Sequence, residues 1–295
     1  MNREIIKLLS DIYLINWTMA GVSEKVIDSL RRVFESLIPE GYSDQLFKSS
    51  EDIRRLFKLA SKQANSGISE IDIWELLEIN QYNSFLDVGS NNLRTIKEIE
   101  FKFKNFEKII AVDLESDPKN KINYSDKLQF FSLDFSNHDQ ILSLKMKFDV
   151  INFKFSLHHF ESNEAIQNAF NNALELLNDN GKLIIWEESF NKDILDLETL
   201  ILNTESLGIE VDHELTKSFY GLNREDRMRL VELNDLFINA RNPHMQWVDN
   251  YKAWEEWKEL ASNSGFMLEN EYNLLVRKNK KLSHGFHIVG VFIKQ

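Results

Sequence analysis

The pattern of apolar residues changes at Ser84, and this change constrains the fold more than any other feature. Ser84-Phe-Leu-Asp-Val-Gly89 is a short apolar run that ends in an acid and a glycine. Lys108-Ile-Ile-Ala-Val-Asp113 is a second apolar run that ends in an acid, and a helix-like segment separates the two. Strands of a parallel sheet are buried on both faces and read as continuous apolar runs. Polar residues that follow such strands line the crevice in which ligands bind.

The same alternation continues along the chain and predicts the order of the elements. Such alternation is typical of parallel sheets with right-handed crossovers. Two later runs, Phe266–Val276 and Gly285–Lys294, predict a hairpin of strands joined by a basic turn. The remaining predicted strands are 84–88, 108–113, 128–133, 149–153 and 182–187, with helices at 93–104 and 162–177.

The loop after the first run narrows the choice of ligand. A dinucleotide site uses three glycines, which let the backbone approach a pyrophosphate. This loop has Gly89 alone, with Asn91 and Arg94 at the later positions. A ligand without phosphates, such as S-adenosylmethionine, does not need the missing glycines.

In these features the sequence resembles the class I S-adenosylmethionine-dependent methyltransferases. The resemblance covers roughly residues 80–190 and implies a Rossmann-like fold whose seven-stranded sheet is mostly parallel. It also implies methyl transfer, with S-adenosyl-L-methionine as the cofactor. The stretches that carry the resemblance are Ser84–Arg94, Lys108–Asp113, Phe130–Phe135, Phe148–Phe160 and Leu176–Glu187.

The resemblance places the cofactor contacts after the first four strands. The Asp87–Gly89 loop faces the methionine end, Asp113 accepts from the ribose hydroxyls, and Asp134 accepts from the adenine amine. Aromatic faces after the fourth strand suit a sulfonium cation, whereas Lys154 is unfavourable beside one and is expected to point to a carboxylate. The alternative is that these acids only form strand-to-helix turns or cap helices. The predicted cofactor residues are Asp87, Val88, Gly89, Ser90, Asp113, Leu114, Asp134, Phe135, Phe153 and Lys154.

Three residues are candidates for catalysis. His158 and His159 follow the fourth strand, where a histidine near the transferred methyl could act as a general base. A Leu-His-His sequence is common in the family whatever the substrate, so the alternative is that these histidines pack and hydrogen-bond. Glu187 ends the fifth strand and could hold an amine, with solvent exposure as the alternative. The substrate candidates are Tyr220, Arg224, His244 and Trp247.

Two helical regions flank the predicted core. Residues 1–80 show apolar positions at three- and four-residue steps, which predicts helices that form an N-terminal cap or an oligomerisation element. A homodimer through these helices is one expectation. Residues 190–252 interrupt the alternation with the helix-like stretches 193–207 and 224–240, and we interpret them as an insertion that covers the substrate side. The domain prediction is a cap over 1–80 and a core over 81–295.

Composition narrows the substrate and the chemistry. The net charge of −12 and the single short basic run at 277–281 disfavour nucleic acid as the substrate. An Asn/Asp-Pro-Pro-aromatic element, which the DNA amino-methyltransferases of the family carry after the fourth strand, is absent. The lack of cysteine excludes disulfides, a thiolate nucleophile and a cysteine-bound iron–sulfur cluster.

Sequence signals for metals, membranes and secretion are missing as well. No group of His, Asp and Glu shows metal-ligand spacing, which predicts a reaction without a metal. No apolar run is long enough for a bilayer, and the N-terminus does not have the pattern of a signal peptide. We therefore expect a cytoplasmic protein without membrane contacts.

The expected activity is O- or N-methylation of a small molecule or natural product. One alternative is a peptide or protein N-methyltransferase, because a large cap could grip a chain. An alternative of another class is a non-catalytic or regulatory protein that binds the cofactor with the same fold. Transfer of a methyl group to candidate acceptors distinguishes the enzymes from the binding protein.

Overall fold

The computed structural model describes residues 3–19, 21–40, 51–63, 73–91, 93–114, 125–192, 194, 196–238, 250–275 and 286–295. By the clustering of its contacts the chain divides into two compact units, which are described separately. One unit comprises Met1–Ile71, Glu188–Trp247 and Asn273–His287, and the other comprises Asp72–Glu187, Val248–Tyr272 and Ile288–Gln295.

The unit that begins at Asp72 contains most of a seven-stranded sheet. The strand order is β3-β2-β1-β4-β5-β7-β6. Neighbouring pairs among β1 to β5 are parallel. The strands are β1 (Ser84–Val88), β2 (Lys108–Asp113), β3 (Leu128–Ser132), β4 (Phe148–Lys154), β5 (Leu177–Glu188), β6 (Phe266–Leu274) and β7 (His287–Lys294).

The last two strands reverse the direction of the sheet. At the end of β7, Gln295 N donates to Gly265 O, just before β6, at 2.9 Å. Near the start of β7, Phe286 O accepts from Ser189 N, just after β5, at 2.9 Å. The end of each strand therefore lies beside the start of its neighbour, as in antiparallel pairs. The predicted Rossmann-like, seven-stranded, mostly parallel sheet is confirmed.

Burial explains why these segments form strands. Residues 85–88 of β1 and 109–112 of β2 are buried without interruption, as expected for strands covered on both faces. Ser162 caps the helix before β5 by accepting from Ala165 N. Helices in this unit are α4 (Ile73–Leu76), α5 (Arg94–Lys102), α6 (His138–Ile141), α7 (Asn163–Leu176) and α11 (Trp254–Asn263), with 3-10 turns at Ile79–Gln81, Leu142–Leu144 and Leu157–His159.

The start of β5 differs from the prediction. Residues 179–181 (Asp-Asn-Gly) have the composition of a turn, and the strand was expected to begin at 182. In the structure β5 begins at Leu177, which pairs with Phe148, and the register shifts before Lys182 pairs with Val150. Pairing with β4 therefore extends the strand through turn-like residues with an irregularity in register, which local sequence does not reveal.

The unit that begins at Met1 is mainly helical. Four aromatic side chains of its first three helices form a buried group: Tyr13, Trp17, Phe34 and Phe57. Its helices are α1 (Arg3–Met19), α2 (Glu24–Glu40), α3 (Glu51–Gln63), α8 (Leu197–Ser206), α9 (His213–Tyr220) and α10 (Arg224–Ile238). The predicted boundary between a cap over 1–80 and a core over 81–295 stays a prediction.

None of the described helices combines the length and the apolar character that crossing a bilayer would need.

Candidate active site

Asp87 places a buried carboxyl group near the carboxyl end of β1. Asn152 of β4 is its partner across the sheet, and Asn152 Nδ2 donates to Asp87 Oδ1 at 2.6 Å. Burial raises the pKa of Asp87 to about 7, although the bond from Asn152 and the charge of Lys154 oppose the rise. A nearby cation favours the ionised form of such a group. This position therefore suits a positively charged ligand atom.

The loop after β1 lies directly against the loop after β4. Gly89 has a φ of +75°, and a Cβ at this position would overlap the Cβ of Ser156. The hydroxyl oxygens of Ser90 and Ser156 are buried, and among the described residues neither has a hydrogen-bond partner. Buried hydroxyls are usually paired, so these two indicate a place where a polar ligand binds.

Asp113, at the end of β2, organises the same loop. Its Oδ2 accepts from Asn91 N at 2.8 Å, and Asn91 has a φ of +42°. Gly89 N and Ser90 N both donate to Val112 O, at 2.8 and 3.2 Å. The loop that lacks the usual glycines is thus held by β2. The side chain of the next residue, Leu114, is 70% exposed.

The third predicted acid shapes a turn. Asp134 Oδ1 accepts from Ser136 N at 2.8 Å and from Ser136 Oγ at 2.7 Å. Asp134 N donates to Gln140 Oε1 at 2.7 Å. The cap of α6 is another residue, Asn137. Asp134 therefore shapes the turn after β3 and does not cap α6, and its predicted contact with the adenine stays a prediction.

Three predicted contact residues are buried in the core. Val88, Phe135 and Phe153 belong to the large apolar cluster of this unit. The Phe153 ring packs edge-on against the rings of Phe135 and Phe170, with centroids 5.6 and 5.9 Å apart. Its side chain therefore stabilises the sheet.

Lys154 points toward aromatic faces at the end of β4. Its Nζ lies 3.9 Å from the centroid of Trp186 and 5.5 Å from that of Trp74. Register pairs Lys154 with Trp186 across the sheet. The positive charge also lowers the pKa of Asp87, against the larger effect of burial. The expectation that Lys154 points to a carboxylate stays a prediction.

Glu187 holds the turn that follows β4. Its Oε1 accepts from Ser156 N at 3.0 Å and from Leu157 N at 2.8 Å, and its Oε2 lies 2.6 Å from His158 Nδ1. Glu187 and His158 have no exposed surface. The expected alternative of solvent exposure for Glu187 is thus wrong. Its carboxylate, which was expected to hold an amine, instead binds backbone N–H groups and an imidazole of its own chain.

This turn is strained at Phe155. Its φ of +52° is uncommon for an aromatic residue, and its N–H donates to Trp186 O at 2.8 Å. Strained backbone persists only where surrounding contacts enforce it. Here the contacts are the bond to β5 and those of Glu187 to the next two residues.

His159 differs from its neighbour. Burial and the charge of His158 lower the pKa of His159 to about 2, so its imidazole is neutral at physiological pH. Its Nδ1 is buried and, within the described ranges, accepts or donates no hydrogen bond. The two rings lie 4.1 Å apart between centroids. The turn therefore presents one imidazole bound to a carboxylate and one neutral imidazole.

Two substrate candidates are described in the helical unit. Tyr220 packs edge-on against Phe219, and the guanidinium of Arg227 lies 5.6 Å from its ring centroid. Arg224 begins α10 and is exposed. His244 and Trp247 lie outside the described residues.

Sequence reasoning missed two residues at this site. Asn152 lies inside an apolar run and resembles a core position, although it bonds to Asp87. Tyr251 stacks on His158 from a part of the chain more than ninety residues away.

Comparison with known proteins gives structural likeness only. Neither a model of a protein family nor a curated protein matches the sequence. The pyocyanin biosynthetic protein PhzM is 13% identical, with a TM-score of 0.49 over 93% of this chain and 69% of that one. An O-methyltransferase family protein from Burkholderia thailandensis is 12% identical, with a TM-score of 0.48 over 92% and 71%. Mitomycin 7-O-methyltransferase MmcR is 13% identical, with a TM-score of 0.46 over 95% and 68%.

Likeness at this level indicates nothing about substrate, and the assignment of the fold depends on the strand order. Five parallel strands are continued at one edge by β7 and then β6. This is the mostly parallel, seven-stranded sheet that the resemblance to the class I methyltransferases implies. The chain has the class I methyltransferase fold. In this fold ligands lie beyond the carboxyl ends of the strands, where Asp87, Gly89 and Asp113 are found.

Proposed function

We propose that this chain is an S-adenosylmethionine-dependent methyltransferase that acts on a hydroxyl or amine of a small molecule. The observation that carries the proposal is the His158–Glu187 pair, with Nδ1 and Oε2 2.6 Å apart, on the turn whose Ser156 contacts Gly89. A ligand loop and a fixed imidazole thus share one end of the sheet. This combination supports transfer chemistry over binding alone.

The residues around Gly89 fit S-adenosylmethionine. Asp87 suits the ammonium of the methionine end, because its pKa of about 7 would fall beside a cation. The hydroxyls of Ser90 and Ser156 provide polar contacts, and the lack of a Cβ at Gly89 allows Ser156 to approach the loop after β1. Asp113 would hold the ribose while it keeps its bond to Asn91 N.

The bound cofactor would supply an activated methyl group. The lone pair of the acceptor would form the new bond to this methyl group, and the sulfur would keep the electrons of the broken bond. The cofactor product is then S-adenosylhomocysteine. The chain itself positions the acceptor and accepts its proton. Positioning accounts for much of the rate, because the methyl is already activated.

Glu187 determines how His158 could act. A carboxylate beside Nδ1 holds the proton on that nitrogen, so the lone pair of the neutral ring lies on Nε2. Nε2 is then the atom that takes the proton of the acceptor, and Glu187 stabilises the resulting imidazolium. Because the ring is fully buried, the acceptor must displace groups that cover it before proton transfer.

The acidic chain and the lack of an extended basic run support a small acceptor. A peptide N-methyltransferase is the second enzyme candidate, supported by the size of the helical regions. We infer a single-site enzyme in which residues 1–80 and the insertion at 190–252 contribute acceptor selectivity.

Radiolabelled S-adenosylmethionine offered with a panel of small phenols, amines and short peptides tests the proposal. We expect label on a phenol or amine, with no transfer by a His158→Asn variant that still binds S-adenosylhomocysteine. Binding without transfer to any acceptor would instead favour a regulatory protein.

Asp113 provides the matching test of the cofactor site. We expect Asp113→Asn to weaken S-adenosylhomocysteine binding about 10- to 100-fold, because charge-assisted bonds to the ribose become neutral ones. Isothermal titration calorimetry measures this change. An unchanged affinity would remove Asp113 from the site.

A further inference from the structure

Residues 250–253, which we call the strap, precede α11 and lie against the turn that carries His158. The ring of Tyr251 is stacked on the ring of His158, with centroids 4.6 Å apart and planes 17° apart. Asn250 Nδ2 donates to Phe160 O, at the end of the same turn, at 3.1 Å. The strap therefore contacts both the imidazole and the backbone that supports it.

We propose that Tyr251 is a positioning residue for methyl transfer, which fixes the plane of the His158 ring and stabilises its protonated form. This inference rests on the proposed function, in which His158 accepts the proton of the acceptor. Glu187 and Tyr251 then share the support of one base, Glu187 from the edge of the ring and Tyr251 from its face.

The geometry shows why Glu187 alone is insufficient. One hydrogen bond at Nδ1 fixes the direction of the ring edge but allows the ring to tilt about that bond. A parallel ring at 4.6 Å blocks the tilt, because the imidazole would have to enter the space of the phenol. The direction of the Nε2 lone pair is therefore set by both contacts, and a general base acts only within hydrogen-bond reach of its proton.

The same stack favours the charged state of the ring. When His158 takes a proton on Nε2, the proton on Nδ1 stays at Glu187 and the ring becomes an imidazolium. The negative π face of a tyrosine stabilises a cation placed over it, more so where water is absent. His158 has no exposed surface, so water does not provide this stabilisation.

The strap is itself held in place, which makes the stack a built contact. Lys252 Nζ donates to Asn250 Oδ1 at 2.5 Å and lies 5.4 Å from the ring centroid of Trp257. Lys252 is only 8% exposed, and burial lowers its pKa, although the charge of Glu256 opposes this. Both neighbours of the contact, Asn250 and Lys252, are thus fixed, and Tyr251 has little freedom to leave His158.

Two substitutions separate the ring of Tyr251 from its hydroxyl. Tyr251→Phe keeps the stack, whereas Tyr251→Leu removes it and retains apolar bulk. Tyr272→Leu is the matched control, because Tyr272 is a partly buried tyrosine of β6 whose hydroxyl bonds to Leu76 O at 3.2 Å. Calorimetry with S-adenosylhomocysteine, with an affinity within about twofold of wild type expected for each variant, checks that the cofactor site is intact.

Turnover is measured with the phenol or amine that the wild-type protein methylates fastest. We expect Tyr251→Leu to lower kcat about tenfold at nearly constant KM, and Tyr251→Phe and Tyr272→Leu to stay within about twofold, since part of a general-base contribution is lost only with the stack. Full kcat in Tyr251→Leu, or an equal loss in Tyr251→Phe, overturns the proposal.

A measurement without acceptor distinguishes failure of this inference from failure of the proposed function. In NMR spectra of protein labelled with ¹⁵N-histidine, the Tyr251 ring current should shift the His158 ring protons, and Nδ1 should carry the proton. Tyr251→Leu should abolish the shift and speed exchange of the Nδ1 proton, while Tyr251→Phe preserves both. Spectra of Tyr251→Leu identical to wild type would overturn the stack itself, whereas absence of any methyl transfer by wild type concerns only the proposed function.

Discussion

The buried carboxyl groups near the ends of β1 and β5 differ in how fully they are satisfied. After β1 the hydroxyl of Ser90 is buried without a described partner, and Asp87 has its pKa raised to about 7. After β5 the carboxylate of Glu187 accepts two backbone N–H groups and faces His158 Nδ1. The carboxyl group of Asp87 thus has one described side-chain partner, Asn152, whereas Glu187 is bound at both oxygens. Buried polar atoms without a described partner occur beside both groups, at Ser90, Ser156 and His159.

This difference indicates a division of labour. Unmet buried polar groups cost stability unless a ligand satisfies them, so we infer that the loop after β1, with Ser156 against it, contributes to binding. A carboxylate that fixes a strained turn preorganises its geometry before any ligand arrives, so we infer that the turn held by Glu187 contributes to positioning. Variants of the two regions should then differ in which quantity they change.

The largest expected effect is on turnover in Glu187→Gln. The amide oxygen can still accept from Ser156 N and Leu157 N, but the amide nitrogen that then faces His158 Nδ1 cannot accept a proton. The imidazole proton moves to Nε2, and the base is lost. We expect kcat to fall on the order of 10²- to 10³-fold, while S-adenosylhomocysteine affinity changes little.

Asp149→Asn is the matched control for that variant. Asp149 lies near the other end of β4 and accepts from Asn83 N and Ser84 N, each at 3.0 Å, much as Glu187 accepts from its turn. It should lose stability in thermal denaturation without a comparable loss of kcat. Equal kcat losses in the two variants would mean that Glu187 acts only through folding.

The sequence predicted the sheet because its strands are buried apolar runs, and such runs can be recognised without knowledge of tertiary contacts. It placed Asp87, Gly89, Asp113 and Glu187 correctly at strand ends, since the rule that ligands bind there follows from topology. It could not tell that Glu187 is engaged by a turn of its own chain, because that contact joins residues about thirty positions apart.

Other features depended on pairing that local sequence does not encode. Asn152 has the pattern of a core position, and only register places it opposite Asp87. Tyr251 lies in a short segment before α11 with no periodic signal, so its stack on His158 could not be foreseen. Phe153 places its side chain in the core, and its predicted contact with the cofactor stays a prediction.

The next effect in size is on cofactor binding in Gly89→Ala. The new Cβ would overlap Ser156 and would sit on a backbone with a φ of +75°. We expect destabilisation of about 2–4 kcal/mol and at least about tenfold weaker S-adenosylhomocysteine binding, because clash and strain add. Calorimetry and thermal denaturation measure the two quantities.

Two further variants separate clash from strain. Gly208 has a φ of +80° with open space where a Cβ would lie, so Gly208→Ala reports strain alone, about 1–2 kcal/mol. Adding Ser156→Gly to Gly89→Ala should recover most of the remaining stability. If Gly208→Ala costs as much as Gly89→Ala, the two loops are not in close contact.

The smallest expected effect is the pH dependence of cofactor binding, which depends on Asp87. Its pKa of about 7 in the folded protein lies above the ordinary aspartate value of 3.8, so the protein without ligand holds this proton across most of the range between the two values. Stability from the protonated form is present below the unfolded pKa and is lost as the pH rises through 7.

Binding of a cationic ligand has the opposite sign, because it favours the carboxylate and releases the proton. We therefore expect S-adenosylhomocysteine affinity to fall about tenfold between pH 8 and pH 6, with proton release visible in calorimetry in buffers of different ionisation enthalpy.

The control is Asp87→Asn, which retains an acceptor for Asn152 Nδ2. This variant should bind S-adenosylhomocysteine weakly at both pH values, and its stability should not fall above pH 7. An affinity independent of pH in the wild type, together with unchanged binding by Asp87→Asn, would mean that the ammonium of the ligand lies elsewhere and that the unmet capacity of the β1 loop has another purpose.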